Sequence, residues 1–92
     1  MNKSIISNEK SCFICGSTRW LERHHVFGGA NREKSEKYGL VVYLCHYCHN
    51  EPPKGVHFNA ERMEWLHKQG QKVFQEEYPN KDFLKEFGKN YL

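Results

Sequence analysis

The chain has 92 residues, of which 38% are hydrophobic and 27% are charged, and its formal net charge is +3. This length suits one compact domain, and so small a core usually needs a disulfide, a metal ion or an oligomeric partner. The composition excludes a disordered chain, no apolar run approaches the roughly 20 residues that cross a membrane, and the charge permits contact with nucleic acid without requiring it.

The N-terminal segment, residues 1–11, is polar and predicts a flexible lead-in. It lacks the long apolar stretch of a signal peptide, so we expect a cytoplasmic protein with no membrane contact. In that compartment thiols stay reduced and bind metal ions more readily than they pair with each other.

Two segments have the character of β-strands. The first is Arg19 to Glu22, and the second is Leu40 to Leu44, which is apolar, rich in β-branched residues and preceded by Gly39. Residues 27–38 lie between the two strands and predict a highly charged loop that begins with glycines.

The C-terminal segment, residues 60–92, has no cysteine and predicts helices that pack on the rest of the chain. Asn59 is a candidate N-cap of a long helix, in which Gly70 would weaken the helix or mark a bend. Residues 81–87 predict a short final helix that Gly88 ends. The side chains expected to face the core include Met63, Trp65, Leu66, Val73, Phe74, Tyr78, Phe83, Leu84 and Phe87.

Two C-x2-C pairs have the spacing of a zinc site. Two residues between cysteines let both thiolates of a tight turn point at one ion, so the sequence predicts one structural zinc bound by four sulfurs. The four thiols belong to Cys12, Cys15, Cys45 and Cys48. The alternatives are disulfides, a redox pair, which would need a βαβ pattern, or replacement of one thiol by His46 or His49.

Four histidines lie near the cysteines in the sequence, and a zinc ion bound by four sulfurs does not need them. His24, His49 and His57 could bind a second metal ion with open positions for water and a phosphate oxygen. His25 would then be left as a general base. Isolated surface or core histidines are the alternative, and His67 in the C-terminal helix is interpreted that way.

The order of these motifs resembles the zinc-bearing HNH nucleases, also called His-Me finger or ββα-metal nucleases. The resemblance covers about residues 12–59 and extends, more loosely, to small HNH-type proteins of phages and prophages. It implies a small α+β fold, in which a ββα-metal core over residues 12–59 is braced by the four-cysteine zinc. The C-terminal helices of residues 60–92 would pack on that core in one domain.

The resemblance also implies a role for each histidine. His24, His49 and His57 would bind the catalytic divalent ion, which could be Mg²⁺, Mn²⁺, Ni²⁺ or Zn²⁺, and His25 would deprotonate the attacking water. The family's usual products carry a 5′-phosphate and a 3′-hydroxyl.

The sequence departs from the family pattern at one asparagine. The asparagine that normally precedes the second strand is absent from residues 38–40, and Asn31 is the candidate to replace it. Two further asparagines, Asn50 and Asn59, compete with His57 for the last ligand position.

Basic residues surround the histidine pair and the loop that follows it. Those that could contact DNA phosphates are Arg19, Arg23, Arg32, Lys34 and Lys37. A solvated charged loop is the alternative, because Glu33 and Glu36 are interleaved with them.

The leading hypothesis is therefore a metal-dependent DNA endonuclease, encoded by a phage or mobile element. It would act on duplex or branched DNA and gain selectivity from a protein partner or a homodimer. The alternatives are a non-catalytic zinc module that binds DNA or protein, and a phage regulator or inhibitor that retains the HNH scaffold.

Overall fold

A two-stranded antiparallel sheet lies at the centre of residues 3–92, the part of the chain that the computed structural model describes. Strand β1 is Leu21–His25 and strand β2 is Val41–Cys45. Leu21 pairs with the cysteine at the end of β2, and His25 pairs with the valine at its beginning. One end of the sheet therefore carries a cysteine, and the other carries the histidine pair.

Both strands lie close to the segments that the sequence predicts. β2 begins one residue later than expected, whereas β1 begins two residues later and continues through His25. The residue before β1, Trp20, has a φ of 53°. Because this left-handed conformation is incompatible with an extended strand, β1 cannot begin before Leu21.

Helices and short 3-10 turns connect and flank the strands, which makes the described chain a small α+β structure. The helices are α1 (Arg32–Tyr38), α2 (His46–Asn50), α3 (Ala60–Glu77) and α4 (Phe83–Phe87), and the 3-10 turns are Gly29–Asn31 and Val56–Phe58.

Helix α1 replaces most of the charged loop expected over residues 27–38, so that prediction is wrong. Glu33 in its first turn and Lys37 in its last turn both suit the helix dipole, and Gly39 ends it in a left-handed conformation. Ser35 lies on the buried face of this helix, and its hydroxyl donates to the carbonyl of Phe27 at 2.7 Å.

The C-terminal helices begin at polar caps. The Asn59 side chain accepts a hydrogen bond from the backbone N–H of Arg62 at 3.0 Å, which confirms it as the cap of α3. Asp82 caps α4, and Gly88, with a φ of 79°, ends it as predicted. The inward orientation predicted for Leu84 is wrong, because its side chain is 54% exposed.

The core lies between the sheet and helices α3 and α4. Phe27 contacts the ring of Phe87 with centroids 4.9 Å apart, and Phe74 contacts Phe83 at 5.5 Å. Trp65 is 44% exposed, yet its ring lies 5.7 Å from that of Phe13, which stands between the first two cysteines. The C-terminal helices therefore pack on the cysteine-bearing half, as expected.

The N-terminal strap, defined as residues 3–10, crosses the turn between α1 and β2. The Ile5 N–H donates to the Gly39 carbonyl at 2.9 Å, and the Ser4 hydroxyl donates to the Val41 carbonyl at 2.6 Å. The sequence predicts a flexible lead-in here, whereas these bonds attach the strap to the sheet. The first two residues of that lead-in lie outside the described residues.

No helix among the described residues is both long enough and apolar enough for a membrane crossing.

Gly70 does not end α3, because the helix continues through it to Glu77. A Cβ atom at this position would lie 2.8 Å from Val26 and 3.0 Å from the ring of Phe27. Glycine therefore allows α3 to approach the segment that follows β1.

We expect Gly70→Ala to lower the free energy of unfolding of the zinc-loaded protein by up to about 2 kcal/mol in urea titrations. Overpacking typically costs about 1–3 kcal/mol, and the better helix propensity of alanine offsets about 1 kcal/mol of that. Lys72→Ala, at an exposed position of the same helix, should change stability by less than about 0.5 kcal/mol. A more stable Gly70→Ala variant would contradict the close approach.

Candidate functional site

The first cysteine pair lies on a tight turn that is attached to the sheet. The N–H of Gly16 donates to the Cys12 carbonyl at 2.9 Å, and Gly16 has a φ of 80°, which favours glycine. The N–H of Phe13 donates to the Tyr43 carbonyl at 2.9 Å, which fixes this turn beside β2. The second pair stands where β2 runs into α2, so the two pairs face each other.

The four thiols form one cluster, in which every sulfur lies within 4.8 Å of the others. The Sγ atoms of Cys15 and Cys45 are 3.6 Å apart. A tetrahedral zinc ion with Zn–S bonds of about 2.3 Å separates its sulfurs by about 3.8 Å. The cluster therefore has the dimensions to bind a metal ion such as zinc.

The thiols also differ in acidity, although they are chemically identical. Burial raises the pKa of Cys12, but backbone hydrogen bonds from Cys15, Cys45 and Ile14 outweigh it and lower the pKa to about 6. Burial and the neighbouring thiols raise the pKa of Cys48. Negative charge can therefore form more readily on Cys12 than on Cys48, and a bound cation would favour the thiolate form of both.

Three histidines form a second cluster on the other side of α2. Nδ1 of His24 lies 3.3 Å from Nε2 of His49, and Nε2 of His57 lies 3.0 Å from the same atom. All three nitrogens lie within 4.8 Å of one another. Metal–nitrogen bonds of about 2.0–2.1 Å give similar nitrogen separations of about 3.0–3.4 Å, so these side chains could hold an ion.

Three separate elements bring these histidines together. His24 is near the end of β1, His49 is in α2, and His57 is in the 3-10 turn that precedes α3. His49 directly follows Cys48, so the short helix α2 contributes to both clusters.

Glu22 orients His49 and was not singled out from the sequence. Its Oε1 accepts a hydrogen bond from Nδ1 of His49 at 2.8 Å, and this contact leads the interactions that lower the pKa of Glu22. A proton on Nδ1 leaves the Nε2 lone pair directed at the other histidines. The alternation of side chains along a strand could have identified Glu22, because Glu22 and His24 lie on the same face of β1.

The remaining ligands are kept in their neutral forms. His24 is 4% exposed, and burial followed by repulsion from His49 and His57 lowers its pKa to about 3. Burial, together with repulsion from His49, also lowers the pKa of His57. Neutral imidazole is the form that binds metal ions, so this environment favours coordination.

His25 lies on the opposite face of β1 and is held by Glu36. Its Nε2 lies 2.7 Å from one Glu36 oxygen, and the other oxygen accepts from the Arg23 guanidinium at 2.7 Å. The Arg23 hydrogen bond, followed by that of His25, lowers the pKa of Glu36 against the effect of burial. Glu36 was missed because its segment had been interpreted as a solvated loop rather than helix α1.

The histidines open onto a cleft of about 280 Å³. Its lining residues are Arg23, His24, His25, Gly28, Gly29, Arg32, His49 and His57. The cleft combines the histidine cluster, the separately held His25 and two arginines of the predicted DNA-binding set. Such a combination offers proton acceptance, metal coordination and neutralisation of an anion within one space.

The other three members of the predicted DNA-binding set, Arg19, Lys34 and Lys37, are absent from the lining of the cleft. Lys34 donates to the Glu86 carbonyl in α4, and Lys37 lies 5.3 Å from the centre of the Tyr38 ring. These contacts connect both lysines to the aromatic side of the fold.

The residues considered as alternative metal ligands, or as the replacement asparagine, make contacts outside the two clusters. Asn50 donates to Glu22 at 2.9 Å, Asn59 caps α3, and His46 lies 3.2 Å from Glu22 and 2.8 Å from Glu51. The Asn31 amide donates to the Phe87 carbonyl at 3.0 Å, so it is engaged with α4 rather than with His25. His67 stacks on the ring of Phe27 at 5.3 Å, which agrees with the packing interpretation.

We expect zinc-replete protein to contain one tightly bound zinc ion per chain, measured by elemental mass spectrometry. Cys45→Ser should lose that ion and much of the folded structure, because binding free energy at such sites contributes to folding. Cobalt substitution should give sulfur-to-cobalt charge-transfer absorption. His46→Ala is the matched control, and its retention of zinc is expected since His46 contacts carboxylates; loss of zinc there would contradict the four-sulfur arrangement.

Protein-family models, curated proteins and solved structures were each compared with the chain, and none of them matched. A function is therefore inferred from the cysteine cluster, the histidine cluster, His25 and the order of the motifs.

Proposed function

We propose that the protein is a metal-dependent endonuclease of the HNH type that hydrolyses phosphodiester bonds in DNA. The observation that carries this proposal is the cleft, where the three-histidine cluster adjoins a histidine held by a carboxylate. A structural metal site alone has no use for His25 beside such a cluster.

His25 is the general base in this proposal. Since Glu36 binds Nε2, the lone pair of Nδ1 is available to take a proton from the attacking water. The Glu36 carboxylate then stabilises the positive charge that the imidazole acquires. Glu36 thereby orients the base, a role that an asparagine has in HNH nucleases. Residues 38–40 of this chain contain no asparagine.

The three-histidine cluster would hold the catalytic divalent ion. Such an ion, when bound, neutralises charge on the phosphate and assists the departing oxygen. Arg32, exposed at the rim of the cleft, would bind the phosphate oxygens, and Arg23 in its wall would contribute positive charge.

The four-cysteine cluster would hold a structural zinc that braces the site from behind. It fixes the end of β2 against α2, and α2 carries His49. A four-sulfur site is closed to water, so the zinc shapes the site without taking part in the reaction.

A non-catalytic module that binds DNA or protein is the second candidate. It is favoured by an exposed aromatic pair beside the cysteine cluster, Trp20 at 65% and Tyr47 at 57% exposure, with ring centroids 5.9 Å apart. Exposed aromatic pairs of this kind are common where proteins contact partners.

We expect zinc-loaded protein to nick supercoiled plasmid when Mg²⁺, Mn²⁺, Ni²⁺ or Zn²⁺ is added. His25→Ala should reduce the nicking rate about 10²–10⁴-fold, the usual contribution of a general base. His67→Gln is the matched control, because His67 stacks on Phe27 and does not line the cleft.

Structural zinc is quantified in each variant so that a folding defect is not mistaken for a catalytic one. If folded, zinc-loaded wild type cuts no plasmid, nicked or branched DNA with any of these ions, the binding-module candidate is preferred.

We also expect Glu22→Gln to weaken binding of Mn²⁺ at the histidine cluster about 10–100-fold in calorimetric titrations. Loss of a carboxylate behind a ligating histidine typically has this effect. Glu51→Gln is the control, because Glu51 contacts His46 rather than His49. Equal Mn²⁺ affinities in the two variants would exclude an orienting role for Glu22.

A further inference from the structure

A second, smaller pocket lies between the N-terminal strap and the sheet. Its volume is about 120 Å³, which is enough for a few water molecules or one phosphate group. The residues that line it are Lys3, Ser4, Ser7, Asn8, Lys10, Arg23, Val41, Val42 and Tyr43. The lining described here thus includes two lysines and an arginine but no aspartate or glutamate, so the pocket favours an anion.

The pocket is formed by well-attached backbone rather than by a loose tail. The Ser4 hydroxyl donates to the Val41 carbonyl and accepts from the N–H groups of Ile6 and Ser7, at 3.0 and 3.1 Å. Gly39 allows the strap to lie this close, because a Cβ atom there would be 2.4 Å from the Lys3 carbonyl oxygen. The Ser4 hydroxyl and the backbone around it are therefore ordered before any ligand arrives, which limits the entropy lost on binding.

Arg23 joins this pocket to the cleft, because it lines both. Arg23 and His25 are two residues apart on the same face of β1, a separation of about 7 Å. The axial rise of a nucleic-acid strand is about 3.4 Å per nucleotide. A strand whose phosphate lies in the cleft can therefore place a phosphate one to a few nucleotides away in the pocket.

We propose that the pocket formed by Lys3, Lys10 and Arg23 binds a backbone phosphate of the substrate strand, adjacent to the phosphate that is cut. This inference rests on the proposed nuclease function and adds a contact outside the histidine cleft. The N-terminal strap would thereby set the position of the strand relative to His25. Phosphate contacts of this kind fix register and carry no sequence information.

The test is the salt dependence of binding of a fluorescently labelled DNA duplex to zinc-loaded protein, without other divalent ions so that no cutting occurs. The double variant Lys3→Gln with Lys10→Gln should weaken binding by up to about 8-fold at about 0.1 M salt. The slope of log K against log salt should become shallower by up to about 0.9, the value for one phosphate contact. Ser7→Asp, which puts a carboxylate into the pocket, should also weaken binding while both lysines remain.

The matched control is Lys72→Gln with Lys85→Gln, which removes the same charge from exposed positions on α3 and α4. If control and pocket variants lose affinity and slope equally, the pocket assignment is overturned. Titration with inorganic phosphate distinguishes a second source of the anion. Phosphate binding that the pocket variant abolishes, with unchanged DNA affinity, would identify a small-anion site and overturn the backbone assignment.

This measurement is independent of catalysis. A protein that binds DNA through the pocket but never cuts it would refute the nuclease proposal and leave the phosphate site standing. Cutting that depends on His25 but not on the strap would support the nuclease proposal and refute the phosphate site.

Discussion

The short helix α2 is the constraint on which the rest of the site depends. Within His46–Asn50 it carries Cys48 towards the sulfur cluster and His49 towards the histidine cluster. A helix of five residues cannot be stable alone in water, so its geometry must come from tertiary contacts. A metal ion at the sulfurs would therefore help to fix the direction of the His49 imidazole, together with the hydrogen bond from Glu22.

Two carboxylates then orient the histidines from opposite faces of one strand. Glu22 holds His49 from one face, and Glu36 holds His25 from the other. Hydrogen bonds with histidine or arginine lower the pKa of both carboxyls, so each remains charged near neutral pH. In the proposed mechanism, strand alternation would separate metal coordination from proton transfer, because the adjacent residues His24 and His25 face opposite ways.

Local spacing accounts for the parts of this arrangement that the sequence could predict. The C-x2-C pairs, the Asn59 cap and the strand around Val42 are signals contained within a few residues. The partners of Glu22 and Glu36 are distant in sequence, and the strap is held by a bond from Ser4 to a residue 37 positions away. Helix α1 was missed because its polar residues resemble those of a loop. Its stability comes from the inner face of the helix, where Ser35 and Tyr38 are buried.

The proximity of the sulfurs has a further consequence for the chemistry of the protein. Cys15 is exposed, and its sulfur lies 3.6 Å from that of Cys45, so a mild oxidant could join the two after only a small movement. A disulfide there would withdraw two thiolates from the cluster and release the ion they hold. Oxidation at the surface would then reach His49 through α2, so the oxidation state of the thiols would be coupled to the geometry of the cleft.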